Sequence, residues 1–232
     1  MKVSAIIAAA GNGERMNGED KVYSSLNGLP VLAHTLFAFE SCGSIDNIVV
    51  VANKKKIENC RELIRMYNTE LKKVSHVVVG GKRRQDSVYN GLNVIKKADY
   101  VVIHDGVRPF VGQKIIEESI KLARKYGAAV AAVKPINLIK VGKNICVETL
   151  GRNNLLEVHT PQTFRFEIIK RAHELARMNC YEADDDASLV EILDGFDGEI
   201  RVVGDSYLNI KITNPETFEI ARACAAYLDN MK

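Results

Sequence analysis

The chain has 232 residues, 47% of them hydrophobic and 26% charged, enough apolar material for one large α/β domain with a small excursion. Its formal net charge of +3 is too mild for a nucleic-acid binder, which concentrates basic residues on one face, and suits a small anionic substrate. No apolar run reaches membrane-spanning length and the start of the chain does not read as a signal peptide, so neither a membrane nor export is expected. Five widely spaced cysteines without a CxxC argue against disulfides and zinc and fit a reducing cytoplasm.

In chain order, residues 2–9 (KVSAIIAA) read as a buried strand running into the glycine loop AAAGNGERM. The pattern Gly11-x-Gly13-x-Arg15 puts Met16 where a dinucleotide fold needs its third glycine, and it lacks the spacing and Lys-Ser/Thr of a Walker loop. Charge stands in their place. Arg15 in the turn and Lys21 six residues on can neutralise several phosphate charges, while the glycines let backbone N–H groups approach them. That suits a triphosphate under attack better than a dinucleotide; the alternative is an ordinary tight turn with surface charges. A helix over 29–42, a strand over 47–53, a solvated run Lys54-Lys55-Lys56, a helix over 56–68 and a strand over 76–81 follow.

After that strand comes GGKRRQDSVYNGL (80–92). Gly80 and Gly81 let a ring or phosphate approach the backbone, Ser87 lies at the start of a helix over 85–95, and a helix cap alone leaves Arg84 unexplained. A fourth strand over 100–106 ends in HDGVRP. Asp105 there can touch a sugar hydroxyl or a metal, Arg108 a phosphate; an Asp before Gly can equally cap a turn. His104 reads as a buried structural histidine rather than a base. An amphipathic helix over 113–127, stopped by Gly127, leads to a strand over 128–133. This alternation of helices with near-continuous apolar strands predicts a mostly parallel sheet covered on both faces.

The rhythm breaks after Lys134. Residues 135–156 are polar and helix-poor and read as a β-arm, a hairpin with Gly142-Lys143-Asn144 near its tip, more an oligomer contact than a domain. HTPQTF (159–164) reads as a loop stiffened by Pro161. Helices over 166–178 and 187–195 follow, the second capped by Asp184-Asp185-Asp186 in preference to a metal site, then a strand over 200–205. Lys211, in an apolar strand-like stretch (207–213), is costly to bury unless it meets an anion. Asn214 caps a last helix with Pro215 at its first position.

Taken in order, AAAGNGERM with Lys21, GGKRRQDSVYNGL, HDGVRPFV, HTPQTF, DDASLVE and NIKIT make the chain resemble, almost end to end, the 2-C-methyl-D-erythritol 4-phosphate cytidylyltransferase family. Those enzymes consume CTP in the non-mevalonate isoprenoid pathway. The ribitol-5-phosphate cytidylyltransferases share the HD-x-VRPF, TPQTF and KIT elements and are the alternative; an NAD-dependent oxidoreductase is disfavoured by the missing third glycine. The resemblance implies one nucleotidyltransferase domain over 1–232, with a Rossmann-like mostly parallel sheet, helices on both faces, and a protruding β-arm (135–156) that makes a homodimer. It implies Arg15 and Lys21 as catalytic cations on the triphosphate. Ala9, Ala10, Gly11, Gly13, Gly80, Gly81, Arg84 and Ser87 would surround the nucleotide. Asp105, Arg108, Thr160 and Lys211 would face the polyol phosphate, joined by Arg152 from the other subunit. Three positions depart from the family: Val22 stands where Gln is usual, Lys82 where an acidic residue is common, and Asn137-Leu138 where Asp-Thr is typical, which removes one hydroxyl from the acceptor site.

The chemistry expected is direct. A phosphate monoester is already an anionic nucleophile near neutral pH, so its oxygen attacks the α-phosphorus of CTP without a general base, and pyrophosphate leaves. The barrier is charge repulsion and alignment, which calls for Lys, Arg and a Mg²⁺ carried mainly by the CTP phosphates, with no dedicated protein metal site.

Overall fold

Runs of Val, Ile and Ala with few polar breaks form the strands, and the amphipathic stretches between them form the covering helices. The structure is a computed structural model and describes residues 1–11 and 20–230. In chain order it contains β1 (Val3–Ala9), the short pair β2 (Ser25–Leu26) and β3 (Leu29–Pro30), α1 (Val31–Glu40), β4 (Asn47–Ala52), α2 (Ile57–Met66), β5 (Val74–Val79), α3 (Arg84–Val94) and β6 (Tyr100–Asp105). There follow α4 (Gln113–Tyr126), β7 (Gly127–Val133), β8 (Ile139–Gly142), β9 (Cys146–Leu150), β10 (Glu157–Arg165), α5 (Phe166–Met178), α6 (Asp186–Glu191), β11 (Glu199–Gly204) and α7 (Pro215–Asp229).

Seven strands make one sheet in the order β11-β7-β10-β6-β1-β4-β5. All neighbours are parallel except β10, which runs antiparallel to both β6 and β7. Strand alternation splits the core in two. Val3, Ala5, Ile7 and Ala9 of β1 join residues of α1, α2, α4 and α7 on one face, while Ile6 joins residues of α3, α5 and α6 on the other. The chain leaves β1 towards β4 and comes back to the other side of β1 with β6. The crevice beyond the carboxyl ends of β1 and β6 is therefore the switch point where such sheets bind ligands.

Two expectations need correction. Residues 159–164 are not a loop: they lie in β10, with Thr160, Gln162 and Thr163 buried. Pro161 is tolerated because the β10–β7 register shifts between Val158 and Gln162, so its missing N–H falls where the ladder is interrupted. The stretch around Lys211 forms no strand; it runs as irregular backbone, held to the β6 end by Ile212 N–H donating to Val107 O at 3.0 Å. Among the described residues, strands β8 and β9 pair with each other alone, as an antiparallel hairpin separate from the main sheet.

Candidate active site

Gly81 and Arg84 at the start of α3, Ala10 and Gly11 after β1, and Asp105 at the end of β6 line a cleft of about 250 Å³ together with Lys21, Ser87 and Lys211. A smaller cleft of about 120 Å³ adjoins it, lined by Arg108, His159, Thr160, Gln162, Asp184 and Asp185. Arg84, Asp105 and Lys211 line both. They form the wall between the two clefts, and two ligands meeting across it would meet beside these three charges.

Asp105 is the buried anion of that wall. Its Oδ1 accepts from Arg84 Nε at 3.1 Å, its Oδ2 from Lys211 Nζ at 2.7 Å, and Arg108 Nε stands 3.7 Å from Oδ2. Burial alone would raise its carboxyl; Arg84 and then Lys211 outweigh this and hold it far below the usual carboxylate range. Arg84 extends the chain of charge: Nη1 donates to Asp186 Oδ2 at 2.6 Å, and Asp186 Oδ1 faces His173 Nε2 at 3.0 Å. Burial would lower the Arg84 guanidinium, but Asp186 and Asp105 keep it above its ordinary value. Its Nη2 is buried without a hydrogen-bond partner.

Backbone around Asp105 is fixed by a relay of neutral groups. Asp105 N–H donates to Thr160 Oγ1 at 3.1 Å; Thr160 lies 3.0 Å from His104 Nδ1, and His104 Nε2 lies 3.2 Å from Arg108 O. A carbonyl only accepts, so Nε2 carries the ring hydrogen and the Thr160 hydroxyl donates to Nδ1. Arg108 is buried as well and donates from Nη1 to Asn209 O at 2.5 Å.

The glycines are explained partly by packing. A Cβ on Gly80 would come 2.3 Å from Ala10 Cβ, and one on Gly81 2.3 Å from Asp86 Cβ. Ser87 Oγ is engaged on both sides, accepting from Gly81 N–H at 3.1 Å and donating to Arg83 O at 3.0 Å. Ala9 and Gly80 do not line the larger cleft, whereas Ala8, Lys82 and Arg83 do. Arg152 reaches neither cleft of its own chain and donates to Ile136 O at 3.1 Å. Gly13 and Arg15 lie outside the described residues. Asp185, not the whole acidic triplet, caps α6, accepting from Ser188 N–H at 2.9 Å; Asp186 points inward to Arg84. That inward role had no local signal, because Asp186 and Arg84 are 102 residues apart.

The family model for 2-C-methyl-D-erythritol 4-phosphate cytidylyltransferase (IspD) matches residues 3–227. The enzyme of that name from Clostridium novyi (strain NT) is 42% identical over 235 residues, covering 100% of this chain and 98% of that protein. The one from Bacillus mycoides (strain KBAB4) is 40% identical, covering 94% of this chain and 95% of that protein. Among solved structures, 4-diphosphocytidyl-2C-methyl-D-erythritol synthase from Anaerococcus prevotii superposes with a TM-score of 0.85 at 29% identity, covering 98% of this chain and 96% of that one. The Francisella tularensis 2-C-methyl-D-erythritol 4-phosphate cytidylyltransferase gives 0.76 at 32% identity, covering 97% and 100%.

Proposed function

We propose that this chain, which belongs to the 2-C-methyl-D-erythritol 4-phosphate cytidylyltransferase family and transfers CMP from CTP to 2-C-methyl-D-erythritol 4-phosphate in isoprenoid synthesis, places CTP in the larger cleft and the acceptor in the smaller one. The observation that carries this arrangement is the shared wall of Arg84, Asp105 and Lys211. Neither ribitol 5-phosphate nor a nicotinamide cofactor is favoured by relatives at 40–42% identity, despite Asn137-Leu138.

Lys21 lines the larger cleft and is buried; with Arg15 it would hold the triphosphate and offset the charge that develops on departing pyrophosphate. Arg84, Arg108 and Lys211 would lower the repulsion between the two phosphates. Asp105, ionised and ringed by cations, orients them and is no general base. Its oxygens are already engaged by Arg84 and Lys211, so Mg²⁺ would be held mainly by CTP phosphate oxygens rather than by this carboxylate. Bound there, the ion would neutralise phosphate charge. A homodimer through the arm, with Arg152 serving the partner's site, and a cytoplasmic location complete the reading; among the described residues no helix is long and apolar enough to cross a membrane.

Lys21→Ala tests the roles. Removing a donor that tightens as charge develops typically costs about a hundred- to a thousand-fold in kcat, or 2.7–4 kcal/mol. Pyrophosphate release should show that loss with only a small rise in the CTP KM. Near-normal kcat with weaker CTP binding would reduce Lys21 to an anchor.

A further inference from the structure

One polar side chain in the smaller cleft is unused by the transfer chemistry. His159, in β10, lines this cleft beside Asp105, Arg108 and Lys211, and its side chain is 12% exposed. Its Nδ1 lies 2.8 Å from Asp205 Oδ2. The Asp205 carboxylate, 1% exposed, also accepts from Asn209 Nδ2 at 2.7 Å and from Ser206 N–H at 2.8 Å. Burial would raise this carboxyl; the hydrogen bonds from His159 and Asn209 outweigh that and hold it ionised, below its ordinary range. An ionised carboxylate only accepts, so Nδ1 carries a hydrogen.

That leaves Nε2. It has no hydrogen-bond partner among the described residues, yet it is not one of the buried side-chain atoms left without a partner, which are Arg84 Nη2, Arg108 Nε, His173 Nδ1 and Asn209 Oδ1. Nε2 is therefore neither paired nor fully buried, on a residue that lines the cleft. Cations for the acceptor's phosphate are supplied by Arg84, Arg108 and Lys211, whereas His159 shares its cleft with the carboxylates of Asp184 and Asp185. The phosphate has those cations as its partners in this cleft, which leaves a neutral ring nitrogen to receive a hydroxyl hydrogen.

We infer that His159 is an acceptor-recognition residue whose Nε2 accepts a hydrogen bond from a hydroxyl of the polyol chain. Asp205 is the positioning residue that fixes the ring with Nε2 facing the ligand. The inference rests on CMP transfer to a polyol phosphate.

Two substitutions separate ligand contact from scaffold. His159→Asn keeps a side-chain N–H for Asp205 and drops the cleft atom; His159→Gln keeps a polar group near the Nε2 position and gives up the Asp205 contact. With CTP and 2-C-methyl-D-erythritol 4-phosphate, His159→Asn should raise the acceptor KM roughly five- to ten-fold, the range of one lost neutral hydrogen bond. The CTP KM should stay unchanged, which also reports a folded nucleotide site, and His159→Gln should recover part of the loss. Acceptors with single hydroxyls removed give a second reading: one of them should weaken binding to the wild type but not to His159→Asn. If His159→Asn behaves as wild type while His159→Gln fails, the ring only holds Asp205 and the inference is overturned. A wild-type protein releasing no pyrophosphate with this acceptor would instead overturn the transfer reading, and the inference with it.

Discussion

Arg84 balances two buried carboxylates, Asp105 in front of it and Asp186 behind, and each pair is worth keeping only because the other charges are in place. Removing one partner of a buried ion pair costs about 3–5 kcal/mol, since the remaining charge is left without compensation. Sequence alone left Asp105 open as a sugar contact, a metal ligand or a turn cap, because all three use an Asp before Gly. The structure adds what the sequence did not show: the carboxylate is engaged by Arg84 and Lys211. His104 was legible as a buried histidine, and its burial has a measurable consequence. Desolvation pulls its pKa from 6.5 down to about 4, so the folded state holds it neutral where the unfolded chain takes up a proton. Its contribution to stability is full above about pH 6.5 and is lost as pH falls through about 4, on the order of 3 kcal/mol in all. Denaturant midpoints between pH 7 and 4.5 should fall accordingly in the wild type. In His104→Gln the decline over that window should flatten, although the variant starts less stable; an equal decline in both would assign the loss to other groups.

At the level of elements, α3 is pressed onto the sheet more closely than side chains would allow elsewhere. A Cβ on Gly91 would lie 2.9 Å from Ile6 Cγ2 and 3.1 Å from Val51 Cγ2, so the glycine sets the depth at which α3, and Arg84 on its first turn, sits over β1 and β4. Gly91→Ala would gain up to about 1 kcal/mol of helix propensity and meet an overpacking cost of about 1–3 kcal/mol. The expected result is a net loss of stability in chemical denaturation, with a rise in the CTP KM as α3 lifts. A more stable variant with unchanged kinetics would mean that α3 has room to spare. Periodicity placed α3 to within a residue because its pattern is local. It could not place β10, whose Pro161 reads as a loop until the interrupted β7 ladder is known, nor the irregular course around Lys211, which is held by Asp105 across the cleft rather than by strand pairing.

For the whole molecule, the hairpin of β8 and β9 is the part whose sequence makes least sense in a single copy. Ile136, Leu138, Ile145 and Val147 are each more than 60% exposed along it, and a lone two-stranded hairpin is marginal in water. A twofold mate would let two such arms cover each other. Arg152, next to the returning β9 strand, donates to the arm's own Ile136 carbonyl. Subunit complementation tests this. Lys21→Ala and Arg152→Ala are each expected to be nearly inactive. If sites are composite, a mixed dimer has one site lacking both residues and one site intact. Random exchange makes half the dimers mixed, so roughly a quarter of all sites should regain wild-type turnover, by the symmetry of a closed dimer. If Arg152 serves its own subunit, no intact site can form, because every subunit carries one defect. Activity that stays at the parental level after exchange has been verified, for instance by mixed-tag pull-down, would rule out the shared site and leave the arm as a contact without a catalytic duty.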